Sequence, residues 1–217
     1  MTTDETSGPA VRNPAGTCAV PLQMGELVLK TGRFEQMRDW YRHLLGRGPF
    51  FERTPDPGAP ARPAGMPERA VDVRLAFFSV HDNGHPHRQV LALFGIDTLS
   101  GTVPAGPGLH HFQFATGSIP ELITQYEHML TIRAVPHRTA NHGQATSFYF
   151  RDPDGNVIEF TCSNFATLEE EAAFLASPRF AANPSGLELD AAEFASRFHA
   201  GEPLASLLSL EPKAASR

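Results

Sequence analysis

The chain has 217 residues, 41% of them hydrophobic and 19% charged, with a formal net charge of −6. That balance supplies a core for one domain of roughly 150 residues with appendages, and it argues against a nucleic-acid or anionic-membrane surface as partner. No apolar run reaches membrane-spanning length, no secretory signal opens the chain, and Cys18 and Cys162 are too few for a disulfide framework or a thiolate cage, so the expectation is a cytoplasmic protein with reduced thiols.

Residues 1–20, rich in Thr, Gly, Pro and Ala, read as a flexible tail. Residues 26–30 alternate as a strand, with Leu27 and Leu29 on one face and Glu26, Val28 and Lys30 on the other. Phe34, Met37, Tyr41, Leu44 and Leu45 recur at helical spacing over 34–45, and Gly46 is placed to end that helix. Phe50-Phe51-Glu52 starts a second strand. Pro55, Pro57, Pro60, Pro63 and Pro67 make 54–68 an irregular loop, either a lid or a plain insertion. Strands follow at 71–80 and 89–95, joined by a turn at Asn83-Gly84. His85 and His87 there have a metal-like spacing but read as a solvated hairpin tip.

A second unit opens with His110-His111-Phe112-Gln113-Phe114. Phe112 and Phe114 share one strand face, and His111 and Gln113 share the other. Ser118 and Glu121 form a capping-box pattern before a helix expected to bury Ile119, Leu122, Ile123, Tyr126, Met129 and Leu130. Strands are expected at 134–137, 146–151 and 157–162. Between the last two, Asp152-Pro153-Asp154-Gly155 reads as a tight turn. Glu159 lies among apolar neighbours. It either faces solvent from an amphipathic strand, or it is buried and must then be paired or bound to a metal.

The two units overlay at a constant offset, Glu26 on His111 (111 − 26 = 85), with Phe34, Met37, Tyr41, Leu44 and Leu45 falling on Ile119, Leu122, Tyr126, Met129 and Leu130. This is the mark of a duplicated module. The fold class is α+β: paired βαβββ modules, about 22–100 and 108–163 within a domain at 21–163, form a curved mixed sheet around a cleft. Glu26 and His111 are expected to face one another there, with Glu159 entering from the last strand. Residues 164–217 make a helical C-terminal extension, capped at Thr167/Glu170 and Asp190/Glu193, and packed on the domain or on a partner subunit.

The modules, with Gly108-Leu109-His110-His111-Phe112 and Tyr149-Phe150-Arg151-Asp152-Pro153-Asp154-Gly155-Asn156-Val157-Ile158-Glu159, resemble the vicinal oxygen chelate superfamily of glyoxalases, bleomycin resistance proteins and dioxygenases. More narrowly they resemble its type I extradiol ring-cleaving dioxygenases, over about residues 22–163, and residues 174–184 resemble the extension of the short dioxygenase-like members. The resemblance implies a divalent metal, foremost iron(II), with manganese(II) or another divalent ion as alternatives, held at the positions of Glu26, His111 and Glu159. His111 and Glu159 match the family pattern. Glu26 stands where a histidine is usual, and Ala92 occupies the further position that four-ligand glyoxalases use. Glu26 is therefore a ligand, a base, or the mark of a member without metal.

Tyr149, ten residues before Glu159, matches the tyrosine that hydrogen-bonds substrate in the ring-cleaving enzymes, with plain core packing as the other reading. His142, in Asn141-His142-Gly143, resembles their acid–base histidine and reads equally as an exposed loop residue. His110 reads as packed or solvated, and His43, His128, His137 and His199 are assigned no role. The implied activity is oxidative ring cleavage of a catechol-like small molecule with dioxygen by a homo-oligomer, foremost a dimer. The alternatives are a redox-neutral isomerase or lyase, and a metal-free small-molecule binding or resistance protein.

Overall fold

A computed structural model describes residues 24–58, 71–81, 89–101 and 107–210. The N-terminal tail, the proline-rich loop from residue 59 onward, and the Asn83-Gly84 turn with His85 and His87 lie outside the described residues.

The first module runs β1 (Glu26–Thr31), α1 (Phe34–Leu44), β2 (Phe51–Arg53), β3 (Arg74–His81) and β4 (Gln89–Gly95). The second runs β5 (Phe112–Ala115), α2 (Ile119–Leu130), β6 (Arg138–Asn141), β7 (Ala145–Arg151) and β8 (Val157–Ser163). Each module makes its own mixed sheet, in the orders β1-β4-β3-β2 and β5-β8-β7-β6, with β9 (Leu187–Glu188) added beside β6. β1 lies parallel to β4, and β5 lies parallel to β8. The repeat is thus visible in topology as well as in spacing, with the curved surface built in two hydrogen-bonded halves.

Helix α1 ends where Gly46 takes φ of +64°, a conformation a side chain resists. Ser118 caps α2, its hydroxyl accepting from Glu121 N at 3.4 Å, while the Glu121 carboxylate accepts from Gly117 N at 2.7 Å. The buried stripes of both helices share one core, in which Met37 and Tyr41 pack with Phe78 and Leu93 from one module and with Leu122, Met129, Phe148 and Ile158 from the other. Leu130, expected inside, is exposed at the end of α2. The strand expected at 134–137 starts instead at Arg138. Pro136 offers no N–H to a ladder, and regular pairing begins only with Arg138 opposite Tyr149.

The Asp-Pro-Asp-Gly turn holds the modules together. Asp152 Oδ1 accepts from the backbone N–H of Asp154 and Asn156 at 3.0 and 2.9 Å, and its Oδ2 accepts from Asn156 Nδ2 at 2.7 Å and from the Tyr41 hydroxyl at 2.8 Å. Burial raises the Asp152 pKa, the hydrogen bonds from Asn156 and Tyr41 oppose that shift, and the Tyr41 phenol is pushed well above its usual range by its own burial and by Asp152. Beyond β8 come α3 (Leu168–Leu175), α4 (Pro178–Ala182), β9, α5 (Ala191–His199) and α6 (Leu204–Leu207). Phe194 of α5 and Leu207 of α6 are buried in the shared core, so the extension packs on its own domain.

Candidate active site

β7 and β8 pair antiparallel with Tyr149 opposite Glu159 and Ser147 opposite Thr161. Strand alternation sends Phe148, Phe150, Ile158 and Phe160 into the core and puts Ser147, Tyr149, Glu159 and Thr161 on the other face. β5 lies against β8 with Gln113 opposite Glu159. His111 sits just ahead of β5, and its Nε2 reaches Glu159 Oε2 at 3.0 Å. The Tyr149 hydroxyl donates to Glu159 Oε1 at 3.1 Å and lies 2.9 Å from His142 Nε2.

One chain of contacts therefore joins His142, Tyr149, Glu159 and His111. Glu159 is 6% exposed, so its carboxylate is buried and paired, as the cost of burying a lone charge requires. The phenol of Tyr149 is pushed up to about 12, by burial first and then by the Glu159 charge and hydrogen bond. It stays protonated. Its single proton goes to Glu159, so its oxygen accepts from a protonated Nε2 of His142.

His110, read from the sequence as packed or solvated, has its Nδ1 2.6 Å from Nδ1 of His111. One of these nitrogens carries the shared proton, which fixes how the His111 ring is turned. Arg138 was also missed: its guanidinium lies 5.2 Å over the Tyr149 ring, and its Nε donates to Glu188 Oε1 at 2.9 Å. Its register opposite Tyr149 was the available signal, hidden by starting that strand too early. His137 borders the site, its ring edge-on to that of Tyr149 with centroids 6.5 Å apart, whereas His199 Nε2 is 2.6 Å from Glu127 Oε1 and His43 stacks on His128.

A cleft of about 430 Å³ opens between β1 and β4 of the first module and β5 of the second. Leu27, Leu91, Leu109 and Phe112 give it apolar walls, and Glu26 and His111 both line it. His111 Nε2 and Glu159 Oε2 have the separation of adjacent ligands that each stand about 2.1 Å from one ion. Those two donors fit a divalent metal. Glu26 shares the cleft with His111, but no three His, Cys, Asp or Glu side chains gather in a metal-holding group among the described residues. Ala92 lies opposite Val28 just as Glu159 lies opposite Gln113, so the first module offers no carboxylate at the matching place.

The model of the Glyoxalase/Bleomycin resistance protein/Dioxygenase superfamily matches residues 23–160. Two proteins of Rhodococcus globerulus are similar along most of their length. Biphenyl-2,3-diol 1,2-dioxygenase 2 is 29% identical over 183 residues, 84% of each chain. Biphenyl-2,3-diol 1,2-dioxygenase 3 is 28% identical over 185 residues, 85% of this chain and 86% of its own. Among solved structures, a glyoxylase/bleomycin resistance protein/dioxygenase domain from Frankia sp. EAN1pec superposes with a TM-score of 0.53 at 15% identity, covering 69% of this chain and 96% of that one. At that identity the likeness concerns the fold alone.

Proposed function

Because the chain belongs to the glyoxalase/bleomycin resistance protein/dioxygenase superfamily, we propose that it is a metal-dependent, extradiol-type dioxygenase acting on a catechol-like small molecule. The observation that carries this reading is the contact chain from His142 through Tyr149 and Glu159 to His111. The names of the two Rhodococcus globerulus relatives support an aromatic diol with adjacent hydroxyls, of the biphenyl-2,3-diol kind, as the substrate class.

His111 and Glu159 would hold the ion, with Glu26 as the third donor from the facing module, and a divalent ion held there would supply Lewis-acid chemistry for substrate oxygens and, as iron(II), electrons for dioxygen. The rest is done by the chain's own side chains. The apolar walls around Leu27, Leu91 and Phe112 receive the ring and exclude water. Tyr149, kept protonated, turns its hydroxyl from Glu159 to a substrate oxygen and orients it. His142 keeps a proton on Nε2 beside the Tyr149 oxygen and is placed to give or take one from the substrate through that oxygen. His110 holds the His111 ring in position from the outer side.

Oxygen uptake by iron(II)-loaded protein with 2,3-dihydroxybiphenyl and a panel of catechols tests this function. The expected outcome is substrate-dependent uptake that is abolished, together with metal content, in His111→Ala and Glu159→Ala. One observation favours a second reading: Glu26 is a cleft carboxylate standing outside the His111–Glu159 pair. That arrangement suits a base in a redox-neutral isomerisation or lyase step. No oxygen uptake, with exchange of a substrate proton into deuterated water, would favour it over the dioxygenase.

A further inference from the structure

We propose that the C-terminal extension orients His142, and that Phe174 of α3 is a positioning residue for it. The function of that placement rests on the acid–base reading of His142; the placement itself does not.

His142 lies in the short turn between β6 and β7, where Asn141, His142 and Gly143 leave one strand to enter the next. The extension grips this turn on three sides. β9 pairs with β6, placing Leu187 opposite Asn141, and Gly186 comes so close that a Cβ there would lie 2.2 Å from Asn141 O and 2.5 Å from His142 Cα. Asn141 Nδ2 donates to the carbonyl of Leu208 at 2.9 Å. Phe174 then covers Gly143: a Cβ on that glycine would lie 2.3 Å from Phe174 Cζ, and Leu210 stands 3.0 Å away on the same spot. Gly143 has φ of +87°, and its N–H donates to Asn141 Oδ1 at 2.9 Å. From the first residue of the extension, Asn164 Nδ2 donates to Asn141 Oδ1 at 2.9 Å and to Gly143 O at 3.0 Å. The backbone on both sides of His142 is fixed, and its ring is thereby aimed at the Tyr149 hydroxyl.

Phe174 is separable from the stability of the fold. Neither α3 nor α4 contains a buried residue, and the Phe174 ring packs against those of its neighbours Phe165 and Phe180. A half-buried ring outside the core cluster, set against a glycine that admits no side chain, is better explained by shape at the turn than by core packing. A displacement of about 1 Å at an acid–base group costs up to about 100-fold in rate, so a modest loosening of the turn is enough to matter.

The test uses the full-length, metal-loaded protein as wild type, Phe174→Ala, Phe174→Leu, and Leu168→Ala as an exposed control on the same helix. The primary readout is the set of His142 ring ¹H–¹⁵N signals, assigned by their loss in His142→Gln. The expected result is that Phe174→Ala shifts the His142 signals and lowers kcat about 10-fold to 100-fold with KM little changed, that Phe174→Leu restores most of both, and that Leu168→Ala matches wild type. His142 signals in folded Phe174→Ala that superimpose on wild type overturn the proposal. If Phe174→Ala does not fold, Phe174→Val takes its place, and unchanged kcat and unchanged His142 signals in that variant, beside a lowered Tm, overturn the proposal by showing a purely structural role. Absence of oxygen uptake in wild type counts against the dioxygenase reading, and the ring signals still decide the positioning role.

Discussion

His43 and His128 close the joint between the modules by exchanging hydrogen bonds: Nε2 of His43 lies 3.1 Å from the His128 carbonyl oxygen, and Nε2 of His128 lies 2.7 Å from that of His43. The rings are parallel with centroids 4.1 Å apart. The two residues sit in the last turns of α1 and α2, where helix carbonyls lose their i+4 partners; from the backbone these two accept instead from the N–H three residues on, Gly46 and Thr131. They are 85 positions apart, the same offset that relates Glu26 to His111, so they mark the axis of the repeat.

The first prediction concerns that joint. Thr131 Oγ1 also donates to the His128 carbonyl, at 2.7 Å, so His43→Ala removes a donor without stranding the acceptor and costs about 1 kcal/mol. His128→Ala likewise leaves the His43 carbonyl its bond from Gly46 N at 3.0 Å, so it also costs about 1 kcal/mol. The double variant costs less than the sum, because each single change already breaks the stack. Urea denaturation of the four proteins measures this, and strict additivity would show that the rings do not act together.

Those histidines show where sequence reading stopped. The repeat offset, both helices and the β7–β8 hairpin were legible because they depend on local periodicity and turn chemistry. Glu159 and His111 were legible through their place in that pattern, and they do meet at 3.0 Å. His43 and His128 were assigned no role, since their meeting depends on how two helices cross, which the spacing of neither helix reveals. The His110 contact was missed for the opposite reason: strand alternation turns adjacent side chains apart, but both histidines precede the first regular residue of β5, Phe112.

Tyr41 and Asp152 give a second prediction. Tyr41→Phe leaves the ring in the core and removes only the hydroxyl that donates to Asp152 Oδ2. The carboxylate keeps its donors from Asp154 and Asn156 but loses a buried partner, at a cost of about 1–3 kcal/mol. Thermal unfolding should show a lower Tm with oxygen uptake unchanged at a temperature where the variant is folded. An unchanged Tm would mean that the turn, and not the Tyr41 contact, carries the joint.

The third prediction is a pH dependence. Partial burial of the His137 ring, followed by the positive charges of Arg151 and Arg138, lowers its pKa from the ordinary 6.5. The folded state therefore takes up the proton less readily than the unfolded chain. The stability contributed by this group is full above about pH 6.5 and is lost as pH falls through the lower, folded value. Between pH 7 and pH 5 the urea midpoint should fall, and His137→Gln should fall less steeply over the same interval. Parallel slopes would assign the acid sensitivity to other groups.

The last prediction separates the readings of Glu26. With Glu26 and Glu159 both ligating, a divalent ion becomes formally neutral, and a catecholate is drawn to it less strongly than to a centre with one carboxylate. If Glu26 is the third ligand, Glu26→Ala weakens manganese(II) or iron(II) binding by about tenfold or more, measured by anaerobic calorimetric titration. Glu26→His, which puts a neutral donor at the same place, keeps the metal and raises the charge of the centre. It should therefore lower KM for a catechol below the wild-type value. Metal affinity in Glu26→Ala equal to wild type would remove Glu26 from the ligand set. Its carboxylate would then stand in the cleft beside His111 as the base for proton transfer, and deuterium exchange lost in Glu26→Gln would identify it as such.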